Sequence, residues 1–240
     1  MHKEDLNTCP ACGSIKKDTN QIDENTVCEC RRQKKLAALY TRTNIPYEYW
    51  FKDLSDFNGK EEYKKELEDY VGNLDKYYKH SIGLFLWGKN GTGKTLLAIG
   101  ALKEVLKKKH SCFFASYSEI VKLFTSGWKS DVAKSNFEMN IENSDFLVID
   151  DLGKEYKTNN NLTESVLDGV IRYRKGPTII TSNKNVEELK ETYSSTFGES
   201  LASLIYGKTI NLQIMGTDFR KDISSRLREI VKQTNYRSIK

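Results

Sequence analysis

Eight residues, Gly88-Lys89-Asn90-Gly91-Thr92-Gly93-Lys94-Thr95, have the types and spacing of a loop that wraps phosphates: glycine, four residues, then Gly-Lys-Thr. The segment follows an apolar run, Ile82 to Trp87, and opens a helical one, which is the context such a loop requires. Gly88, Gly91 and Gly93 admit backbone conformations closed to other residues, so successive N–H groups can turn inward at a helix N-terminus. Lys94 then reaches the β- and γ-phosphates, and the Thr95 hydroxyl is placed to ligate Mg2+. With Asn90, Thr92 and Leu96, these residues form the expected binding set for a nucleoside triphosphate, ATP above all, with ADP as its product.

A second apolar run, Phe146 to Ile149, ends in Asp150 and Asp151. A parallel sheet presents the carboxyl ends of its strands to ligand, so Asp150 is the expected Mg2+ partner and Asp151 the residue that orients or deprotonates water. Without the glycine loop the pair would read equally well as helix-capping aspartates. A third run, Thr178 to Thr181, ends in Ser182-Asn183. If its strand lies between the other two, Asn183 can hydrogen-bond the γ-phosphate or the water; alone it would read as a turn. The expected catalytic residues are thus Lys94, Asp151 and Asn183.

Four of the five cysteines, Cys9, Cys12, Cys28 and Cys30, fall in the first thirty residues. Two close pairs with a polar loop between them suit a structural Zn2+ held by four thiolates. The second pair has one spacer residue where two are usual, so His2 could replace one of its sulfurs. Incidental thiols or a redox pair are the other readings.

These groups need elements to hold them. Short apolar runs at Ile82–Trp87, Cys112–Ser116, Phe146–Ile149, Thr178–Thr181 and Thr209–Ile214 predict five buried strands. Helices are predicted at Arg31–Tyr40, Glu61–Tyr78, Lys94–Lys108, Ser118–Thr125, Leu162–Arg174 and Val186–Leu189. Alternation of the two gives an α/β class with a parallel sheet covered on both faces. The division expected is a zinc module with linker helix over residues 1–40 and a nucleotide-binding domain over 41–240.

A chain of 240 residues supports one main core and a small accessory module. No apolar run is long enough to cross a bilayer and the first twenty residues lack a secretion signal, so a cytoplasmic protein is expected. A net charge of +5 permits nucleic-acid contact without requiring it. Lysine runs such as Lys107 to Lys109 read first as solvated faces.

Taken together the motifs resemble the AAA+ ATPases of the bacterial helicase-loader group, DnaC and DnaI, with the related transposition ATPase IstB. Asn44-Ile45-Pro46 with Tyr49, Trp50, Phe51 and Phe57 resembles the group's lead-in segment, Leu86 to Thr95 its Walker A and Val148 to Gly153 its Walker B. Asn183 matches sensor 1, and Gly216-Thr217-Asp218-Phe219-Arg220 resembles the terminal motif in which Arg220 would act as sensor 2 on the nucleotide. The resemblance implies an AAA+ core with a five-stranded parallel sheet. It also implies slow hydrolysis, because the family's arginine finger falls here on Leu204, with Lys208 the nearest substitute.

As a loader, the protein would grip a hexameric replicative helicase of the DnaB type through its N-terminal module, bind single-stranded DNA, self-associate on the helicase and need no membrane. Trp128, between Gly127 and Lys129, could stack a base or anchor a loop in the core. An IstB-like regulator binding duplex DNA is the alternative, and a small-molecule kinase a weaker third.

Overall fold

The computed structural model describes residues 29–154 and 161–219. The chain divides into two units, one through Trp50 and the other from Phe51 onward. The first unit carries α1 (Glu29–Arg42) and a short 3-10 turn at Tyr47–Tyr49. Asn44 takes a left-handed φ of 58° beyond the helix, and the Trp50 indole donates to the Ile45 carbonyl at 2.9 Å.

In the second unit, a capped 3-10 turn at Leu54–Asp56 leads into α2 (Glu61–Gly72) and α3 (Leu74–Lys79). The single helix predicted over Glu61–Tyr78 is interrupted at Asn73. Its amide side chain donates to the Asp69 carbonyl at 2.9 Å, a local bond that competes with helix propagation, and Gly72 beside it resists little.

The strands are β1 (Gly83–Trp87), β2 (Cys112–Ser116), β3 (Phe146–Leu152), β4 (Thr178–Ser182) and β5 (Thr209–Gln213), all parallel, in the order β2-β3-β4-β1-β5. The four inner and adjoining strands are buried on both faces and are nearly continuous in apolar residues, as a doubly covered parallel sheet demands. One face receives α4 (Lys94–Lys107), which buries Leu97, Ile99, Ala101, Leu102 and Val105. The other gathers Phe85, Ala115, Leu147, Ile149 and Ile180 with residues of α5 (Tyr117–Ser126), α7 (Asn161–Tyr173), α8 (Val186–Thr192) and α9 (Ser195–Lys208) in one core.

Two helical stretches were not predicted. The first, α6 (Asp131–Phe137), runs on into a π turn, Glu138–Glu142, and is mostly polar, burying only Phe137 and Ile141. The second is α9, whose buried Phe197, Leu201 and Ile205 keep a four-residue spacing but are diluted by Gly198 and Gly207. A side chain at Gly198 would overlap the Lys190 carbonyl, so that glycine lets α8 and α9 close on each other.

The amino edge of the sheet is held by two charged residues. Arg174, 5% exposed, donates to the carbonyls of Ile141, Glu142, Ser144 and Pro177 and to the Thr178 and Ser144 hydroxyls, tying the π turn to β4; burial pushes its guanidinium down to about 10. Asp145 accepts from the Tyr78 hydroxyl at 2.7 Å and from the Ser111 amide and hydroxyl at 2.8 and 2.9 Å. Burial raises its carboxyl, but Tyr78, Ser111 and nearby His110 more than offset this and hold it below the ordinary range. A depressed carboxyl stabilises the fold above the unfolded-state value, about pH 4, and that stability is lost as pH falls through the folded value. Asp145→Asn is therefore expected to lower stability at pH 7 by about 1–2 kcal/mol and to flatten its dependence below about pH 4, as measured by urea unfolding at several pH values. Arg174→Met is expected to cost about 3 kcal/mol in the same assay, because five buried acceptors lose their donor.

Candidate nucleotide-binding site

The site forms at the carboxyl ends of β1, β3 and β4, and the strand order is what assembles it: β4 lies between β1 and β3. This meets the condition under which Asn183 can serve the γ-phosphate. Immediately after β1, Gly88, Gly91 and Gly93 take φ values of 147°, 76° and 90°, and Gly93 caps α4 from the left-handed region. The space around the loop is equally restrictive. A Cβ on Gly88 would overlap the Ile214 carbonyl, one on Gly91 the Asp218 carboxylate, and one on Gly93 the Phe57 ring. Asn90 is exposed at the loop's tip, while Thr92 is buried and its hydroxyl donates to the Lys89 carbonyl at 3.0 Å. Leu96 continues the first turn of α4, half-buried.

Lys94 is 5% exposed, and its ammonium donates to the carbonyls of Gly88 and Lys89, each at 2.8 Å, and to Asn183 Oδ1 at 3.0 Å. Lys94 and Asn183 thus meet across β1 and β4, although 89 residues separate them in sequence.

β3 and β4 lose register between Ile149 and Leu152, and Asp151 takes a left-handed φ of 59°. Such an irregularity re-aims side chains at a strand end. Here it gives the two successive acids different neighbours, Thr95 and Thr181 for Asp150 and Lys154 for Asp151. Asp150 Oδ1 accepts from Thr95 Oγ1 at 3.0 Å and from Thr181 Oγ1 at 2.6 Å, and Thr181 Oγ1 in turn accepts the Asp151 amide at 2.9 Å. Asp151 pairs with Lys154 at 2.7 Å, both side chains being 38% exposed. Burial is the main reason that the Asp150 carboxyl is raised above its ordinary value; the Asp151 charge adds to this, while Thr181, Thr95 and Lys154 oppose it. A buried, raised carboxylate beside a threonine hydroxyl fits a divalent cation, whose charge would offset the penalty of ionising it.

The chain beyond β5 closes over the loop. Ile214 donates to the Trp87 carbonyl at 2.7 Å, and Phe219 to the Gly91 carbonyl at 3.1 Å. The terminal motif is therefore seated on the phosphate loop as far as Phe219, while Arg220 lies outside the described residues. So do Cys9, Cys12 and Cys28, with His2; Cys30 stands half-buried in the first turn of α1. Among the described residues no group of three or more His, Cys, Asp or Glu side chains is placed to hold a metal ion.

Thr181, Ile214 and Asp218 are the site residues that sequence reasoning did not assign a role. A polar residue ending an otherwise apolar strand was the available signal for Thr181. Leu204 packs partly buried against the core, and Lys208 donates to the carbonyls of Ile171 and Arg172 at 3.0 and 2.8 Å, which commits its ammonium to the end of α7. Trp128 is 66% exposed, with an edge contact to Phe124, so it is not a core anchor.

A glycine-rich loop opening a helix, a β4 inserted between its strand and the paired acids, and an asparagine at the end of that β4 define a P-loop protein of the AAA+ type. The chain belongs to the IstB-like ATP binding protein family, whose sequence model matches residues 21–226. It is 29% identical over 117 residues to the replicative helicase loader DnaI of Bacillus subtilis, a match covering 47% of this chain and 37% of that one, so it spans just over a third of the loader's length. Among solved structures it is similar to the DnaC helicase loader, with 25% identity and a TM-score of 0.61 over 71% of this chain and 100% of that chain. AMPPCP-bound DnaA from Aquifex aeolicus shares the fold, with 20% identity and a TM-score of 0.56 over 77% of this chain and 56% of that one. No helix among the described residues is long and apolar enough to cross a membrane.

The burial of Asp150 has a measurable consequence. A carboxyl raised on folding contributes stability that is fully present below the unfolded-state value and lost as pH rises through the folded one. Asp150→Asn is thus expected to raise the unfolding temperature of the nucleotide-free protein at pH 8, and the gain is expected to shrink toward zero below about pH 4. A variant that is less stable than wild type at both pH values would contradict the burial account.

Proposed function

We propose that this protein is an ATP-controlled loader of the replicative helicase, acting at the initiation of DNA replication. The observation that carries the reading is the meeting of Lys94 with Asn183 and of Thr95 with Asp150 around one loop, in a chain that resembles the DnaI and DnaC loaders.

The loop amides and Lys94 bind the β- and γ-phosphates, and Thr95 with Asp150 would hold Mg2+, which neutralises charge on the phosphate oxygens. Asn183 positions water at the γ-phosphorus. As the water oxygen bonds to phosphorus, the bond to the ADP oxygen breaks and Asp151 accepts the proton, giving ADP and phosphate. The Asp151–Lys154 pair must loosen for this. Phe219, whose amide donates to the Gly91 carbonyl, and Arg220, the next residue in sequence, would report the bound nucleotide.

Hydrolysis by a lone molecule is slow on this reading, because neither Leu204 nor Lys208 can offer a charge to a neighbour's phosphate. Nucleotide binding then acts mainly as an assembly switch. Residues 1–40, with their zinc set, would contact the helicase, and Trp128 next to Lys129 would stack a base of single-stranded DNA. A second reading, a transposition regulator on duplex DNA, is favoured by the family's kinship to IstB.

The test combines the full-length protein with the host's hexameric helicase, single-stranded or duplex DNA, and ATP or ADP. ATP-dependent capture of the helicase is expected, with a preference for single strands that Trp128→Ala weakens by about 1–3 kcal/mol. ATP-dependent coating of duplex with no helicase bound would reverse the order of the two readings.

A further inference from the structure

We propose that the cavity running along α7 to the amino edge of the sheet is a binding site for a free aromatic amino acid. The phosphate loop lies at the opposite edge, and the proposal does not depend on the ATP-binding reading.

The cavity measures about 440 Å³, a size within the range of small-molecule sites. Leu162, Val166, Gly169 and Tyr173 line it from α7, and their helical spacing puts them on one face of that helix. Phe124 of α5 and Phe137 of α6 line it as well, edge to face with ring centroids 5.4 Å apart. A ligand ring entering beside them would extend an arrangement that aromatic groups favour. Gly169 leaves the space unfilled. A glycine inside a helix lowers stability relative to alanine, yet a Cβ at Gly169 would meet no packed neighbour within 4 Å, so no contact requires the glycine there. Gly176 lines the same cavity and differs, because its Cβ would overlap the Asp145 carbonyl.

The polar groups decide the chemistry of the ligand. Glu142, Asp145, Arg174 and Lys175 are the charged side chains that line the cavity, and two of them are already committed. Asp145 accepts from Tyr78 and Ser111, and Arg174 directs its donors to carbonyls and hydroxyls. The bonds from Arg174 to the Ile141, Glu142 and Ser144 carbonyls also hold the cavity's rim in one conformation, so the site is formed in advance. Glu142 and Lys175 are exposed, and among the described residues neither side chain meets a partner, nor does the one pair with the other. The Asn143 side-chain amide, which lines the cavity between them in sequence, is likewise unengaged among the described residues. Opposite charges of equal number favour neither a simple anion nor a simple cation. An acid, a base and an amide beside an aromatic, apolar pocket match the ammonium, the carboxylate and the ring of one zwitterion.

The test is equilibrium dialysis of the full-length protein against L-tryptophan, run beside N-acetyl-L-tryptophanamide, which keeps the ring but carries neither charge and so stands in for a residue within a partner's chain. Saturable binding of L-tryptophan is expected, with the uncharged amide several-fold weaker. Gly169→Leu fills the cavity with a better helix former, so it should weaken binding by about tenfold or more while the unfolding temperature holds or rises. Glu142→Gln and Lys175→Met, both at exposed positions, should each weaken L-tryptophan by about two- to fivefold and leave the uncharged amide unaffected. ATP affinity should stay at the wild-type level in all three variants. No saturable binding below about 1 mM, unchanged binding in a folded Gly169→Leu, or unchanged binding in both Glu142→Gln and Lys175→Met would each overturn the proposal. Binding of N-acetyl-L-tryptophanamide at least as tight as that of L-tryptophan would also overturn it, and would point instead to an aromatic residue of a partner protein.

Discussion

The Thr181 hydroxyl holds the site together. It donates to Asp150 and accepts the Asp151 amide, so one side chain on β4 fixes two successive acids of β3 at the point where the strands lose register. That bond exists only because β4 lies next to β3, and β4 also adjoins β1, whose loop supplies Thr95 and Lys94. Two residues beyond Thr181, Asn183 accepts from Lys94. Three strands and one helix therefore meet through a short chain of hydrogen bonds, and burial there raises the Asp150 carboxyl although its bonds to Thr181 and Thr95 oppose the rise.

The two edges of the sheet do different work. At the amino edge, Arg174 and Asp145 satisfy loop carbonyls, amides and hydroxyls with charged partners, an arrangement that favours one rigid conformation. At the carboxyl edge, strain and desolvation are concentrated instead: left-handed Asp151, a buried carboxyl at Asp150, and a buried lysine facing carbonyls. Residues held this way persist where the surrounding structure over-determines them, and they are the groups a bound nucleotide would relieve. The ends of α7 and α9, tied by Asp168, Ser200 and Lys208, belong to the rigid edge.

The positions of all five strands were legible in the sequence, because a doubly covered parallel strand needs a short unbroken apolar run, but β3 runs on to Leu152, past its expected end at Ile149, and β5, expected to be buried, is an edge strand with half-buried and exposed positions. Helix prediction fared less evenly. α5 and α7 carry strong amphipathic patterns and α4 is a long apolar run that follows the glycine loop, whereas α9 hides its buried Phe197, Leu201 and Ile205 among glycines, and α6 contributes too few buried residues to set a period. Trp128 shows the limit of residue type as evidence. A tryptophan between a glycine and a lysine is compatible with core or surface, and only packing decided that its ring is exposed.

The sequence by itself determined the phosphate loop, the paired acids and the α/β class, since each is a local pattern whose chemistry requires those residue types at that spacing. Strand order was beyond its reach: no local preference says that β4 inserts between β1 and β3. That order, chosen by the burial of whole strands and helices, brings Asn183 to Lys94 and Thr181 to Asp150. It likewise seats the segment ending in Phe219 on Gly91 and lays Arg172 across α9, because side chains far apart in the chain are joined only by the packing of the elements that carry them.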